Sequence, residues 1–224
     1  MSDRAPIHHP PDELLLEYAS GATHEAVSLF VATHCALCPQ CRSRVEDLEQ
    51  VGGALLQQAD SVEPSPGTLD ALLARLDDTD ADADAEPPAA ATPTEHLVFP
   101  EPLRSYLPDP DPGKLPWDSL LPGYKQITLP LMIGDVPVRL ARMSPRFVIP
   151  SHTHGGTELS MVLTGGYKDD GKQYLRGDVS VRDEQHTHSV HVDDDDHCIA
   201  MTVSSSWVKP RDLKFWLATW FHSF

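Results

Sequence analysis

The chain holds 224 residues, 40% hydrophobic and 23% charged, enough for one large domain or two modest ones with real cores; collagen, coiled coil and wholesale disorder are excluded. Its 34 acidic residues against 17 Lys and Arg give a net charge of -17, which argues against a direct binder of phosphate backbones and for a basic macromolecular partner. Four cysteines are too few to frame a disulfide scaffold, and three of them crowd into residues 35–41. The amino terminus lacks a basic stretch followed by a long apolar one, and no apolar run approaches the roughly 20 residues that cross a bilayer. These features predict reduced thiols and a cytoplasmic protein.

The front of the chain reads as helical. Leu14, Leu15 and Tyr18 mark a helix over 12–20 that stops at Gly21. Val27, Phe30 and Val31 mark a second over 24–34, and Val45, Leu48, Val51 and Leu55 a third over 38–58. Ser65 and Pro66 predict the cap and first residue of a fourth, with Leu69, Leu72, Leu73 and Leu76 at i, i+3, i+4, i+7. That stripe is either ordinary core or a face for a partner's groove. From Asp77 to Thr94 there is no Val, Ile, Leu or aromatic residue, so the segment is read as a tether. Residues 1–95 carry 4 basic and 18 acidic side chains, so the front half holds nearly all the net charge. A proline-rich lead-in over 100–122 precedes short alternating runs (ITLPLMI, VPVRLARM, TELSMVLTG, DVSVR, HCIAMTVSS) of an all-β unit.

Two constellations carry chemistry. His34, Cys38 and Cys41 stand at H-x3-C-x2-C spacing, with His8 and His9 as candidates for a fourth donor; zinc takes four N or S donors in a tetrahedron. Pro39 suits a first helical position, which puts Cys38 at the N-cap, where the helix dipole favours a thiolate. Cys35 is left as a spare thiol, and overlapping C-x2-C pairs admit a redox reading, although no βαβ pattern surrounds them. In the β unit, His152, His154, Glu158 and Gly165 form H-x-H-x3-E-x6-G. Strand alternation puts both histidines on one face, and Gly155-Gly156 lets the chain return with Glu158. Imidazoles with a carboxylate suit Zn, Fe, Mn, Ni or Cu. Cys198, in the apolar run CIAM, is read as core, and His191 and His197 as surface.

HHPPDELLLEYASG followed by VATHCALCPQC resembles the zinc-binding anti-sigma domain of bacteria. Its pairing with a C-terminal β unit resembles the ChrR-type cupin anti-sigma factors. The resemblance implies an α + β multidomain chain: a zinc-stabilised four-helix domain at 1–78, an acidic Ala/Pro-rich linker at 79–95 and a cupin β-barrel at 96–224. Its zinc ligands would be His9, His34, Cys38 and Cys41. The second cupin motif, counted from Gly177-Asp178, reaches His188, so the second set would be His152, His154, Glu158 and His188, holding Zn2+ or another divalent metal. Asp183 and Gln185 depart from that motif, and His186 shares the parity of His188.

The activity implied is capture of an extracytoplasmic-function sigma factor, with release under singlet oxygen or related oxidants sensed through the cupin unit. A field of net charge -14 over residues 1–95 suits a target with basic surfaces. Two other readings compete with it. One is a metal-dependent cupin dioxygenase or isomerase with a helical zinc module, and the other is a zinc redox switch built on the cysteines themselves.

Overall fold

A computed structural model describes residues 4–77, 98–131, 136–204 and 208–210; the proposed linker and the last 14 residues lie outside them. Among the described residues, helices α1 (Asp12–Ala19), α2 (Glu25–Leu37), α3 (Pro39–Leu56) and α4 (Thr68–Asp77) come first. A short α5 (Glu101–Arg104) precedes β1 (Asp118–Leu121), β2 (Tyr124–Thr128), β3 (Val138–Met143), β4 (Val148–His154), β5 (Glu158–Thr164) and β6 (Gly166–Asp169). The chain continues through β7 (Lys172–Leu175), β8 (Val179–Arg182), β9 (His188–Val192), β10 (Cys198–Ser204) and β11 (Val208–Pro210). None of these helices is long and apolar enough to cross a membrane.

Local chemistry sets the helix boundaries. α2 runs three residues past its predicted end because Cys38 is the first extended residue, and Pro39 behind it disfavours helical geometry there. Cys38 then caps α3, its sulfur accepting from the Cys41 amide at 3.5 Å, with Pro39 in the first turn. The fourth helix begins at Thr68, not at Pro66, because Gly67 sits at φ +80, outside the helical region. Ser65 contributes its carbonyl, which accepts from both the amide and the hydroxyl of Thr68.

The β unit is two antiparallel sheets, β1-β2-β3-β10-β5-β8 and β11-β4-β9-β6-β7, facing each other; among the described residues they do not close into a ring. Strand parity divides the first sheet into two buried faces. Val138, Leu140, Leu159, Met161, Leu163, Ile199, Met201 and Val203 point to one core, and Met143, Val162, Cys198 and Ala200 to the core between the sheets. Burial on both sides explains why these strands read as near-continuous apolar runs.

The outer core is closed by the helical unit. Ala26, Leu29 and Phe30 of α2 lie in the same cluster as the sheet residues, while Val31 and Cys35 of the same helix pack on Leu15, Cys38, Cys41 and Val45. α2 is therefore shared, and the helical unit is docked on the β unit. The proline-rich lead-in over 100–122 holds α5 and β1 and buries Leu103 and Leu115. Gly165 explains the last position of the H-x-H motif. It turns β5 into β6 at φ +70, and a Cβ there would stand 2.5 Å from the His197 carbonyl oxygen.

Candidate metal centres

The first centre forms where α2 ends, α3 begins and the segment before α1 crosses them. One donor atom from each of His9, His34, Cys38 and Cys41 falls in a group spanning no more than 4.8 Å. His9 Nδ1 is 3.5 Å from Cys38 Sγ and 3.4 Å from Cys41 Sγ. A tetrahedral zinc with its usual bond lengths separates sulfur from nitrogen by about 3.6 Å, so the spacing fits that ion. His8, the other candidate, turns away and lays its ring on Tyr174 at 4.5 Å between centroids. His34 is fully buried, and its Nδ1–H donates to the Gly177 carbonyl at 2.9 Å. That bond leaves Nε2 as a lone pair, and Nε2 is buried with no hydrogen-bond partner among the described residues. A backbone carbonyl that accepts from the far ring nitrogen and so fixes the tautomer is the usual support of a metal-bound imidazole. Burial, with the neighbouring Cys38 sulfur, pushes the Cys41 thiol up to about 12, so this pocket favours a neutral thiol until a cation supplies the opposite charge. Cys35 stands outside the set, and burial pushes it up to about 11.

The second centre lies between the sheets on β4 and β9, where His152 pairs in register with His188. His152, His154 and His188 are buried and offer one donor atom each within 4.8 Å of one another. His152 Nδ1–H donates to the Pro150 carbonyl at 2.8 Å and His188 Nδ1–H to Asp169 at 2.9 Å, which leaves the Nε2 atom of each as an acceptor. His154 Nε2 faces His188 Nε2 at 2.8 Å, while its buried Nδ1 makes no hydrogen bond. Glu158 stands beside this trio, 3.5 Å from His154 Nδ1, and is not within the convergent group. His186 does not face inward despite its parity: its ring is exposed and held by Asp183 at 2.7 Å. Cys198 is buried in the intersheet core, as read from its apolar neighbours.

The family described as ChrR cupin-like domain matches residues 110–207. Anti-sigma-E factor ChrR of Cereibacter sphaeroides is 33% identical over 203 residues, covering 89% of this chain and 90% of that protein. The chain belongs to the ChrR family of anti-sigma factors. A crystal structure of Rhodobacter sphaeroides SigE in complex with the anti-sigma ChrR contains a chain that matches with a TM-score of 0.76 and 32% identity, over 89% of this chain and 99% of that one.

In this ChrR-family chain the supports behind the donors were not legible as a motif. Asp169 on β6 accepts from both His188 and Arg182, the latter at 2.6 Å. Burial opposes ionisation of Asp169, but the His188 hydrogen bond and the charges of His188 and Arg182 outweigh it and hold the carboxyl below its ordinary value. The group that orients His188 is thus an anion with a cation of its own.

The titrations give a signed expectation for the metal-free chain. Burial pushes His34 down from 6.5 to about 4, and burial with neighbouring imidazoles does the same to His154. The unfolded chain takes up protons at these rings near 6.5 while the folded chain does not, so stability falls between pH 6.5 and 4. Glu158 has the opposite sign: burial raises it from 4.5 to about 7, so its contribution is present below 4.5 and lost as pH rises through 7. Two imidazoles oppose one carboxyl, and the urea midpoint of the chelator-treated protein is expected to drop from pH 6.5 to pH 4.5. A flat or rising profile on acidification would contradict the assignment.

Proposed function

We propose that this chain is a cytoplasmic anti-sigma factor whose helical unit sequesters an extracytoplasmic-function sigma factor, and whose β unit receives the oxidative signal that ends the capture. The observation that carries the reading is an apolar arm that has no partner among the described residues. Leu69, Leu72 and Leu73 on α4 are 65%, 52% and 48% exposed, and Val51, Leu55 and Leu56 at the end of α3 are exposed as well. Leu76 completes the stripe in sequence, with its side chain outside the described residues. A 10-residue helix is marginal in water on its own, and Gly52 and Gly53 weaken the last turns of α3. Both segments gain their stability by laying these residues into a groove of the sigma factor. The acidic front half steers them towards basic surfaces.

The first centre takes Zn2+ on His9, His34, Cys38 and Cys41, a closed set of two thiolates and two imidazoles with no position left for chemistry. There the ion supplies cross-linking: it ties the segment before α1 to the α2–α3 junction. The second centre takes Zn2+ or another divalent metal on His152, His154 and His188, with Glu158 as the further ligand once its carboxylate turns to the ion. In this reading the β unit is not an enzyme. A dioxygenase or isomerase, which a three-imidazole set with a carboxylate at its side would favour, predicts bound Fe or Mn and turnover instead.

The test is co-expression of the full chain with the extracytoplasmic-function sigma factor of the same genome, followed by gel filtration and a transcription assay with core polymerase. A one-to-one complex that silences transcription is expected. Free migration of the two proteins, with zinc present, contradicts the proposal.

A further inference from the structure

The turn that enters β8 touches both parts of the first centre. Asp178 is wholly buried, and its carboxylate accepts four hydrogen bonds. Oδ1 takes the amides of Ile7 at 2.7 Å and His8 at 3.0 Å; Oδ2 takes Arg4 at 2.6 Å and the Leu175 amide at 2.9 Å. The Val179 amide donates in turn to the His8 carbonyl at 3.0 Å. The residue after this clamp is His9. One position earlier, the Gly177 carbonyl holds His34. Gly177 lies at φ +84, and a Cβ on it would stand 2.5 Å from Pro6 Cγ, so the amino-terminal segment is seated directly on this backbone. The turn itself is anchored: Gly177 donates to Val162, Val162 donates to Asp178, and Asp178 donates to Leu175.

We infer that Gly177 and Asp178 of the β unit are positioning residues for the Cys/His centre of the helical unit, so that metal affinity there and docking of the two units are one linked equilibrium. The inference rests on the proposed metal at that centre. The physical cause is preorganisation. With the clamp closed, residues 4–9 are already ordered and His34 already presents its Nε2 lone pair, so the ion does not bear the cost of ordering them. Linkage makes the effect reciprocal: whatever the docked state contributes to metal affinity, the metal returns to docking. β8 ends at Arg182, the partner of Asp169 behind His188, so one strand abuts the supports of both centres.

The test uses the full chain, cobalt(II) as the probe and a competing chelator. Thiolate-to-cobalt charge transfer reports the first centre alone, because the imidazole trio has no sulfur among its donors. Asp178→Ala is expected to weaken cobalt binding at this centre about 10- to 100-fold, the range seen when a residue that supports metal ligands is lost. Asp178→Asn, which still offers an oxygen to the Ile7 and His8 amides, is expected to recover part of the loss. Arg4→Ala, which leaves the β unit intact, is expected to weaken binding in the same direction by a smaller factor. In the wild type, amide exchange at Ile7 and His8 is expected to slow on metal loading, which a purely structural role for Asp178 would not predict. Unchanged cobalt affinity in Asp178→Ala and Arg4→Ala, with normal wild-type binding, overturns the inference alone. A wild-type chain without thiolate charge transfer overturns the metal assignment and the inference together. No sigma factor is present, so neither result depends on the partner.

Discussion

Cys38→Ser is expected to empty the first centre and release α1 and the start of α3, while α2 stays on the β unit. The substitution separates the metal from the cap. Serine is a favoured N-cap and can accept from the Cys41 amide as the sulfur does, so any cap effect stays below about 1 kcal/mol. Loss of the ion is a different order of effect, because structural zinc contributes about 10–16 kcal/mol in small peptides. The apolar cluster around the centre is Leu15, Val31, Cys35, Cys38, Cys41 and Val45, too small a core to replace it. Cys35→Ser is the matched control: it buries a hydroxyl at a cost of about 1–3 kcal/mol and leaves the donor set whole. Elemental analysis should find one metal fewer per chain in Cys38→Ser and no change in Cys35→Ser, with helical circular dichroism reduced only in the first. Full metal content in Cys38→Ser, or its loss in Cys35→Ser, would contradict the ligand set and favour a redox role for the spare thiol.

The combined substitution Leu69→Ala, Leu72→Ala and Leu73→Ala is expected to weaken sigma-factor capture at least about 100-fold, since buried anchors of an interface each contribute about 2 kcal/mol or more. The same change should leave the urea midpoint of the free chain unmoved, because these leucines are exposed. Leu29→Ala makes the contrast: Leu29 is in the core shared by the two units, and its loss should cost about 2–5 kcal/mol of stability. A binding titration and an unfolding curve on each variant check both statements. A triple variant that unfolds more easily yet binds normally would mean that the stripe is core, the other reading that helical spacing allows.

The helices were legible because each places its apolar residues at helical spacing, and because proline and glycine punctuate their ends. The same spacing could not say whether Leu69, Leu72 and Leu73 are buried; in the fold all three are exposed. The first sheet was legible for a related reason, since strands buried on both faces read as apolar runs. Most of the second sheet was not: in VIPSHTH, GYKD and HSVHV the inward positions mix His152, His154, Asp169 and His188 with Tyr167, Val190 and Val192, so the apolar alternation that marks a strand is diluted by the donors, and only the parity of His152 and His154 pointed to a strand. The choice between His8 and His9 was open in sequence; in the fold Asp178 and Tyr174 hold His8 to the β unit, while His9 Nδ1 lies 3.5 Å from Cys38 Sγ and 3.4 Å from Cys41 Sγ. The docking of the units was invisible for the same reason. Its hydrogen bonds join residues 143 and 171 positions apart, beyond any local pattern.

The central claim is that one polypeptide uses a thiolate-bearing metal centre, braced by its own β unit, to hold a sigma factor. Calorimetric titration of the full chain with that sigma factor, before and after removal of metal by a chelator, tests it most directly. One-to-one binding by the loaded chain is expected, with a collapse of affinity once the ion is gone and its return on adding zinc back. Equal affinity in the two states would contradict it.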